Sequence, residues 1–529
     1  MLKKVPTMLN SDFDNLVEAK LKHWKTPGLA LAVITPDETT TKTYGVASLP
    51  STPVTTSTNF FGASTTKAFT AAAISLLVHD NEDYPQVQWT TPVSQLIRDD
   101  FVLQDEWATN NITLLDILCH RTGLPSHDRA MHNIPNPSHS VSMPSDAPRP
   151  AVRAIVRNLR HLPLTASPRT TYQYNNAMYL VAAHIIETLT GQWLGAFLRD
   201  RIWKPLGMLN TYLSTEDAVA GTADVASGYY FDEKEERYVE VPHMQLDTSS
   251  GAGGVISNVE DYSKWARAIL TRSEVLPPAA WDDLLKPRTI IGEYEPFTGP
   301  RCYALGWRTG VYKGHSFIGH SGGLDAFSTE FTVFPEQKFA VVLFANTAGS
   351  GYYAAQALGW HLVDERLSVP TAERFDWDGL HRTAIEDGKK DTAGAVERFY
   401  PGIDREAGKP CTLPAEAYTG TYSHPGYQKL VLRLGDQAQQ GQPEDLAQST
   451  VMFRADREDA TWPEHMTFEH VTRDYFLVRS DWHGDFAAFW PEMYAAEFRI
   501  GPDDKVVELG ITGWEPKMGK EKIWLKKVD

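Results

Sequence analysis

The N-terminal part of the chain shows a helical and then a strand-like pattern of apolar positions. Apolar residues at helical spacing over residues 13–24 predict an amphipathic helix, which a Pro-Gly pair ends. The apolar run 29–34 predicts a buried strand, and the threonine-rich stretch 39–45 predicts its partner. We therefore expect the chain to open with a helix and an antiparallel hairpin.

The Ala/Leu-rich segment 64–78 predicts a buried helix that begins at Ser64. Helical patterns recur over residues 113–119, 176–190 and 259–271. The pattern then returns to strands, most strongly over residues 330–334 and 339–345. Strands at both ends of this region with helices between them predict an α+β fold, in which distant segments close one sheet around a helical insertion.

The C-terminal part of the chain has a different pattern of apolar and polar residues. Residues 352–400 are predicted to be helical, and residues 401–414 form a polar connector. Short alternating runs separated by Gly, Asp and Pro then predict a small antiparallel β-barrel. The predicted strands are residues 428–434, 466–469, 475–480, 486–490, 496–500 and 506–511, and residues 436–450 are predicted to be a surface loop.

Composition narrows the class of protein. The chain has 529 residues, of which 42% are hydrophobic and 22% charged, as in folded globular proteins. Its net charge is −17 and it has no dense basic run, so nucleic acid and membranes are not expected partners. Three distant cysteines argue against a disulfide framework. No signal-like or membrane-spanning apolar stretch is visible, which predicts a soluble, cytoplasmic protein.

Ser64 and Lys67 form the only Ser-x-x-Lys pattern in the chain. On a helix, residues three apart share a face, so the Lys67 amine can reach the Ser64 hydroxyl. A serine hydroxyl becomes nucleophilic when a neighbouring base accepts its proton, and a lysine serves as that base where its surroundings lower its pKa. The pattern alone is weak, because it is expected about once by chance and also fits an N-capping serine followed by an exposed lysine.

Two later motifs strengthen the interpretation of Ser64 as a nucleophile. The motif Tyr-Asn-Asn at 174–176 stands at the start of an apolar helix, where its side chains can project into a cleft. The motif His-Ser-Gly-Gly at 320–323 precedes the strand region, and its glycines permit close approach of a substrate backbone. Each motif also has an ordinary explanation, as a helix cap and as a turn respectively.

Together these motifs resemble the serine enzymes that include class C β-lactamases, D-Ala-D-Ala carboxypeptidases, D-aminopeptidases and related esterases and transesterases. The matching residues are Ser64 and Lys67 for Ser-x-x-Lys, Tyr174 and Asn176 for Tyr-x-Asn, and His320 and Gly322 for Lys/His-x-Gly. Segments similar to the family's framework run from about residue 15 to about residue 350. The tail resembles the lipocalin-like barrel of some members, mainly through residues 418–422.

The resemblance implies three parts of the chain. Residues 1–365 are expected to form a β-lactamase/transpeptidase-like domain, an antiparallel sheet flanked by helices with a helical subdomain. Residues 366–414 are expected to be a helical segment and linker, and residues 415–529 a lipocalin-like β-barrel.

The resemblance also implies an acyl-enzyme cycle. Ser64 attacks a carbonyl, while Lys67 and Tyr174 carry its proton to the leaving group. The backbone N–H groups of Ser64 and Gly323 are expected to hold the oxyanion, each contributing roughly 3 to 4 kcal/mol. The expected substrate-binding residues are Asn176, His320, Gly322 and Gly323.

The chain departs from many relatives at His320, where most β-lactamases have lysine. A neutral imidazole attracts a carboxylate less than an ammonium does, so β-lactam hydrolysis is not expected to be the main activity. We expect a small-molecule ester or amide substrate, no cofactor and no metal, and we allow for a homo-oligomer. An acyl transferase with the same acyl-enzyme and a non-catalytic ligand-binding protein remain alternatives. His120 lies in a reactive-looking cluster that we interpret as a structural turn.

Overall fold

The chain divides into two compact units. A computed structural model describes residues 8–132, 147–221, 224–405, 408–435, 451–482 and 491–529. The described residues of Met1–Leu124, Pro135–Leu159 and Ala166–His381 form the first unit. Those of Pro125–Ile134, Arg160–Thr165 and Arg382–Asp529 form the second unit.

The first unit is built on an antiparallel sheet of nine strands within the described part of the chain. Their spatial order is Thr52–Pro53, Thr39–Ser48, Gly28–Ile34, Phe339–Ala345, Phe327–Phe334, His315–Leu324, Arg308–Tyr312, Arg301–Tyr303 and Thr289–Gly292. The strands Gly28–Ile34 and Phe339–Ala345 lie side by side, with Leu29 opposite Ala345, and every residue in both is buried. Their continuous apolar sequence therefore reflects burial on both faces of the sheet. The prediction of an α+β fold closed by distant segments is confirmed.

Helices cover this sheet and form a separate cluster near the nucleophile. The longer helices are Ser11–His23, Thr66–Val78, Pro150–Asn158, Ala177–Thr190, Val259–Thr271, Pro278–Leu285, Ser350–Leu367 and Trp377–Ala393. Thr66–Val78 packs against Ala177–Thr190 and the short helix Ser250–Gly253, while Val259–Thr271 packs on the central strands. Across the residues that the structure describes, no helix combines the length and apolar character needed to cross a bilayer.

The motif at 320–323 lies inside the strand His315–Leu324, directly before the strand Phe327–Phe334. The strand His315–Leu324 pairs with Phe327–Phe334 along its length, from Ile318 opposite Val333 to Leu324 opposite Phe327. Its pairing with Arg308–Tyr312 ends at Gly319. Cross-strand hydrogen bonds override the weak intrinsic strand preference of two glycines. Beyond Gly319, the strand has one edge without a partner among the described strands.

The second unit contains the predicted antiparallel barrel, which is closed. Its strands are Gly420–His424, Gln428–Leu434, Val451–Arg457, Glu464–Thr472, Tyr475–Trp482, Glu492–Ile500, Val506–Thr512 and Lys522–Lys527. Aromatic side chains fill its interior, with ring centroids 5.1 Å apart for Tyr418 and Phe498 and 5.3 Å apart for Phe453 and Phe476. The predicted strand 486–490 and the predicted loop 436–450 lie outside the described residues.

A buried polar network joins Arg129 to barrel strands of the second unit. Arg457 donates to the Glu464 carboxylate at 2.5 Å and to the Arg129 carbonyl oxygen at 2.7 Å. Glu464 is fully buried, and it also accepts a hydrogen bond from Ser480 at 3.0 Å. Although burial opposes ionisation, Arg129 and Arg457 hold the pKa of Glu464 below its ordinary value. The two arginines therefore compensate the buried negative charge of Glu464 inside the barrel unit.

Candidate active site

Ser64 lies in a sharp turn that precedes a helix. The short strand Phe60–Phe61 pairs with Ile256–Ser257, and a 3₁₀ turn over Ala63–Thr65 follows it. Ala63 has φ 47°, a left-handed conformation that costs a non-glycine residue about 1 kcal/mol. The α-helix begins at Thr66 rather than at the predicted Ser64, because Ser64 lies within the 3₁₀ turn that precedes the helix. The turn leaves the Ser64 side chain only half-buried, so it remains reachable from solvent.

Lys67 is fully buried directly beside Ser64. Its Nζ lies 3.1 Å from Ser64 Oγ, as the spacing of three residues predicts. The same amine donates to Asn176 Oδ1 at 2.8 Å and to the Ala252 carbonyl oxygen at 2.7 Å. The lysine is thus fixed by groups from three separate segments of the chain.

Tyr174 and Asn176 reach the same point from the start of the helix Ala177–Thr190. The Tyr174 hydroxyl donates to Ser64 Oγ at 2.9 Å. Lys67 Nζ lies 4.8 Å from the centroid of the Tyr174 ring. Asn175 Oδ1 accepts from the Met178 backbone N–H at 3.0 Å, which fixes the start of this helix. The structure therefore brings together Ser64, Lys67, Tyr174 and Asn176.

The two glycines of the motif at 320–323 place a strand against the nucleophile turn. A β-carbon on Gly322 would lie 2.3 Å from the Gly62 carbonyl oxygen, so only glycine permits this approach. Gly323 is exposed, and a β-carbon there would meet nothing within 4 Å. Its backbone is therefore open to a ligand.

His320 is buried next to this cluster, but its ring nitrogens bind other groups. Nδ1 lies 2.7 Å from the Ser321 carbonyl oxygen, so it carries the proton and donates. Nε2 lies 2.9 Å from the Tyr303 hydroxyl and accepts from it. Burial, together with the charges of Arg308 and Lys67, lowers the pKa of His320 well below its ordinary value. His320 is thus neutral, and its ring lies beside that of Tyr174, with centroids 6.3 Å apart.

Three neighbours of the site were not predicted from the sequence. Arg308 donates to Ser321 Oγ at 3.1 Å, and both Arg308 and Arg301 interact electrostatically with the buried carboxyl group of Glu330. Burial and the nearby Arg308 lower the pKa of Arg301 to about 10. Tyr303 is the third neighbour, and its hydroxyl hydrogen-bonds to His320. No motif in the sequence distinguishes these two arginines from surface ones.

The site places a hydroxyl beside an amine and a phenol, two groups that can carry its proton. Among the described residues, no group of three His, Cys, Asp or Glu side chains is placed to hold a metal ion. A serine hydroxyl in contact with an amine and a phenol is suited to nucleophilic attack on a carbonyl.

Comparisons with known proteins agree with this chemistry. Residues 13–365 match the β-lactamase family, and residues 404–527 match a domain of unknown function, DUF3471. The chain is 46% identical to unguisins hydrolase ungD' of Aspergillus campestris (strain IBT 28561), over 98% of this chain and 92% of that protein. It is 39% identical to unguisins hydrolase ungD of Aspergillus violaceofuscus (strain CBS 115571), over 99% of this chain and 91% of that protein.

A solved structure shares the fold over nearly all of the chain. It is the octameric penicillin-binding protein homologue from Pyrococcus abyssi, with a TM-score of 0.58 and 19% identity, covering 98% of this chain and 99% of that one. The match to the family model spans well over half of the chain, so the family is established, and with it the expectation of an enzyme rather than a non-catalytic binding protein. The chain belongs to the β-lactamase family and is an enzyme of the serine hydrolase type.

Proposed function

We propose that this protein hydrolyses an amide bond of unguisins through an acyl-enzyme on Ser64. One observation carries the proposal: Ser64 Oγ lies within hydrogen-bonding distance of both Lys67 Nζ, at 3.1 Å, and the Tyr174 hydroxyl, at 2.9 Å. The substrate class comes from two relatives named unguisins hydrolase, which are 46% and 39% identical over nearly all of this chain.

In acylation, Ser64 Oγ forms a bond to the substrate carbonyl carbon. Its proton passes to the Lys67 and Tyr174 pair, and the leaving amine takes a proton from that pair as the C–N bond breaks. Proton transfer by positioned groups of this kind contributes about 10²- to 10⁴-fold in rate. Water then attacks the acyl carbon, the bond from that carbon to Ser64 Oγ breaks as the acid leaves, and a proton from the water returns to Ser64 through the same pair.

The oxyanion is held by the backbone N–H groups of Ser64 and Gly323. The close approach of Gly322 to Gly62 and the exposed backbone of Gly323 support this assignment. Asn176, which is half-buried and already oriented by Lys67, binds the substrate amide. The neutral side chain of His320 lines the site, and Arg308 supplies the positive charge near it.

Mass spectrometry of the products tests the proposal. The protein is incubated with an unguisin, and the summed mass of the products is expected to exceed the mass of the substrate by one water. The variant S64A is expected to form none. The matched control S57A alters an exposed serine that precedes the same turn, and it is expected to retain activity. Product formation by S64A at the normal rate would contradict the proposal.

The choice between hydrolysis and acyl transfer depends on the acceptor that reaches the acyl-enzyme. Adding an amine or alcohol to the same reaction separates them, since a transferase forms a conjugate while a hydrolase continues to form the acid. We expect the acid. Homo-oligomerisation stays a prediction, which sedimentation measures.

A further inference from the structure

The chain that leads to Tyr174 is paired with the residues that follow the helix Leu114–Leu118. The backbone hydrogen bonds of this pairing run from Ala166 N to Gly123 O at 3.2 Å, from Arg169 N to Arg121 O at 2.7 Å and from Gln173 N to His120 O at 2.9 Å. The last of these bonds lies one residue before Tyr174. His120 therefore holds the backbone immediately preceding the phenol.

The His120 side chain holds the backbone on the other side of Tyr174. Its Nδ1 accepts a hydrogen bond from the Asn175 backbone N–H at 3.1 Å. Between these two anchors, the imidazole packs on the phenol itself, with ring centroids 4.4 Å apart and planes inclined by 41°. A single residue, His120, therefore contacts Gln173, Tyr174 and Asn175 in succession.

His120 occupies this position at two costs. Its φ is 57°, a left-handed conformation that few residues other than glycine adopt. Because Nδ1 accepts, the proton is on Nε2, which is buried and has no hydrogen-bond partner among the described residues. Burial and the charge of Lys67 lower the pKa of His120 well below its ordinary value, which keeps the ring neutral and Nδ1 free to accept. Such costs cluster at functional sites.

We propose that His120 is a positioning residue that fixes the Tyr174 hydroxyl on Ser64 through the Asn175 N–H and the face of the phenol. The inference rests on the proposed function, in which Tyr174 helps to protonate the leaving group. A displaced phenol therefore impairs the cleavage of amides, whose leaving amine requires a proton. It has little effect on activated esters, because Lys67 still lies 3.1 Å from Ser64 Oγ to take its proton and the leaving group departs as a stable anion.

The experiment compares kcat/KM for an amide and an activated ester that share one acyl group. H120N keeps an acceptor at the place of Nδ1 and suits a left-handed backbone. H120Q carries its amide farther out, and H120F keeps a ring but has no acceptor. In H120Q and H120F, we expect about a 100-fold loss on the amide, the lower range for proton-transfer catalysis, and less than about a 3-fold loss on the ester. H120N, which keeps the acceptor but not the ring, is expected to retain more amide cleavage than H120Q or H120F.

The reference is Y174F, which should show the same loss confined to the amide. Either H120Q or H120F suffices, so the comparison survives if one of them fails to fold, as judged by thermal unfolding. Equal losses on amide and ester, or no loss on either, would overturn the role of His120. A wild-type protein that cleaves neither compound would overturn the proposed function instead.

Discussion

The contact between Gly322 and the nucleophile turn gives the sharpest prediction about the geometry of the site. In G322A, the new β-carbon would lie 2.3 Å from the Gly62 carbonyl oxygen and 3.1 Å from the Ala63 β-carbon. Ordinary contacts begin at 3.4 Å, and the nearest atom belongs to the backbone, so no side chain can rotate away. The strand and the turn must separate by about 1 Å, a misplacement that costs about 100-fold in rate at a catalytic site.

The structure offers a matched control for this substitution at a second glycine that lies near Ala63. In G253A, the added β-carbon would lie 3.8 Å from the nearest atom, the Ala63 carbonyl carbon, which is an ordinary contact. We expect kcat for an activated ester to fall about 100-fold in G322A and less than about 3-fold in G253A.

The assay combines steady-state kinetics with thermal unfolding of both variants. Overpacking of a tight contact destabilises proteins by about 1 to 3 kcal/mol, so G322A is expected to unfold at a lower temperature while remaining folded at assay temperature. A G322A protein with nearly unchanged kcat would show that the approach of the strand to the turn does not set the geometry of catalysis.

Three further predictions concern the proton pair, the buried histidines and the barrel. Y174F removes the hydroxyl that lies 2.9 Å from Ser64 Oγ, so kcat for an amide should fall about 10²- to 10⁴-fold with the thermal midpoint unchanged, and a fall below 10-fold would remove Tyr174 from the mechanism. Buried neutral histidines such as His320 have folded-state pKa values below the ordinary value of about 6.5, so the unfolded chain binds more protons than the folded protein as the pH falls. The free energy of unfolding should therefore be highest above pH 6.5 and decline below it, and the decline should be shallower in H320N. Chemical denaturation of the wild type and H320N at pH 7.5 and pH 5.5 measures this difference. E464Q leaves Arg457 buried without its carboxylate and should lose about 3 to 5 kcal/mol in chemical denaturation, whereas E508Q, which breaks a more exposed pair, should lose less than about 1 kcal/mol; equal losses would contradict the account of the barrel.

The sequence was most informative where a local pattern determines geometry. The spacing of Ser64 and Lys67 predicted their contact because the chain turns helically between them. The approach of Tyr174 spans 110 residues of sequence, and only the resemblance to a family suggested it. The acceptor role of His120 was missed because it depends on a backbone N–H that arrives through tertiary packing. His120 therefore looked like an ordinary turn residue.

Strands were missed where polar residues obscure the alternation. The barrel strands Val451–Arg457 and Lys522–Lys527 carry several charges, and they gain their stability from neighbours on both sides in a closed barrel. Likewise, the glycines at 322 and 323 suggested a turn, yet cross-strand pairing with Phe327–Phe334 holds them extended. In both cases, long-range hydrogen bonding outweighs local preference.

The most direct test of the central claim is to find the residue that becomes acylated. The protein is mixed with an activated acyl ester, quenched in acid during turnover and analysed as intact protein and as peptides by mass spectrometry. The account predicts one acyl group per chain, located on Ser64 and absent from S64A. An acyl group on another residue, or an equal mass increment on S64A, would contradict it.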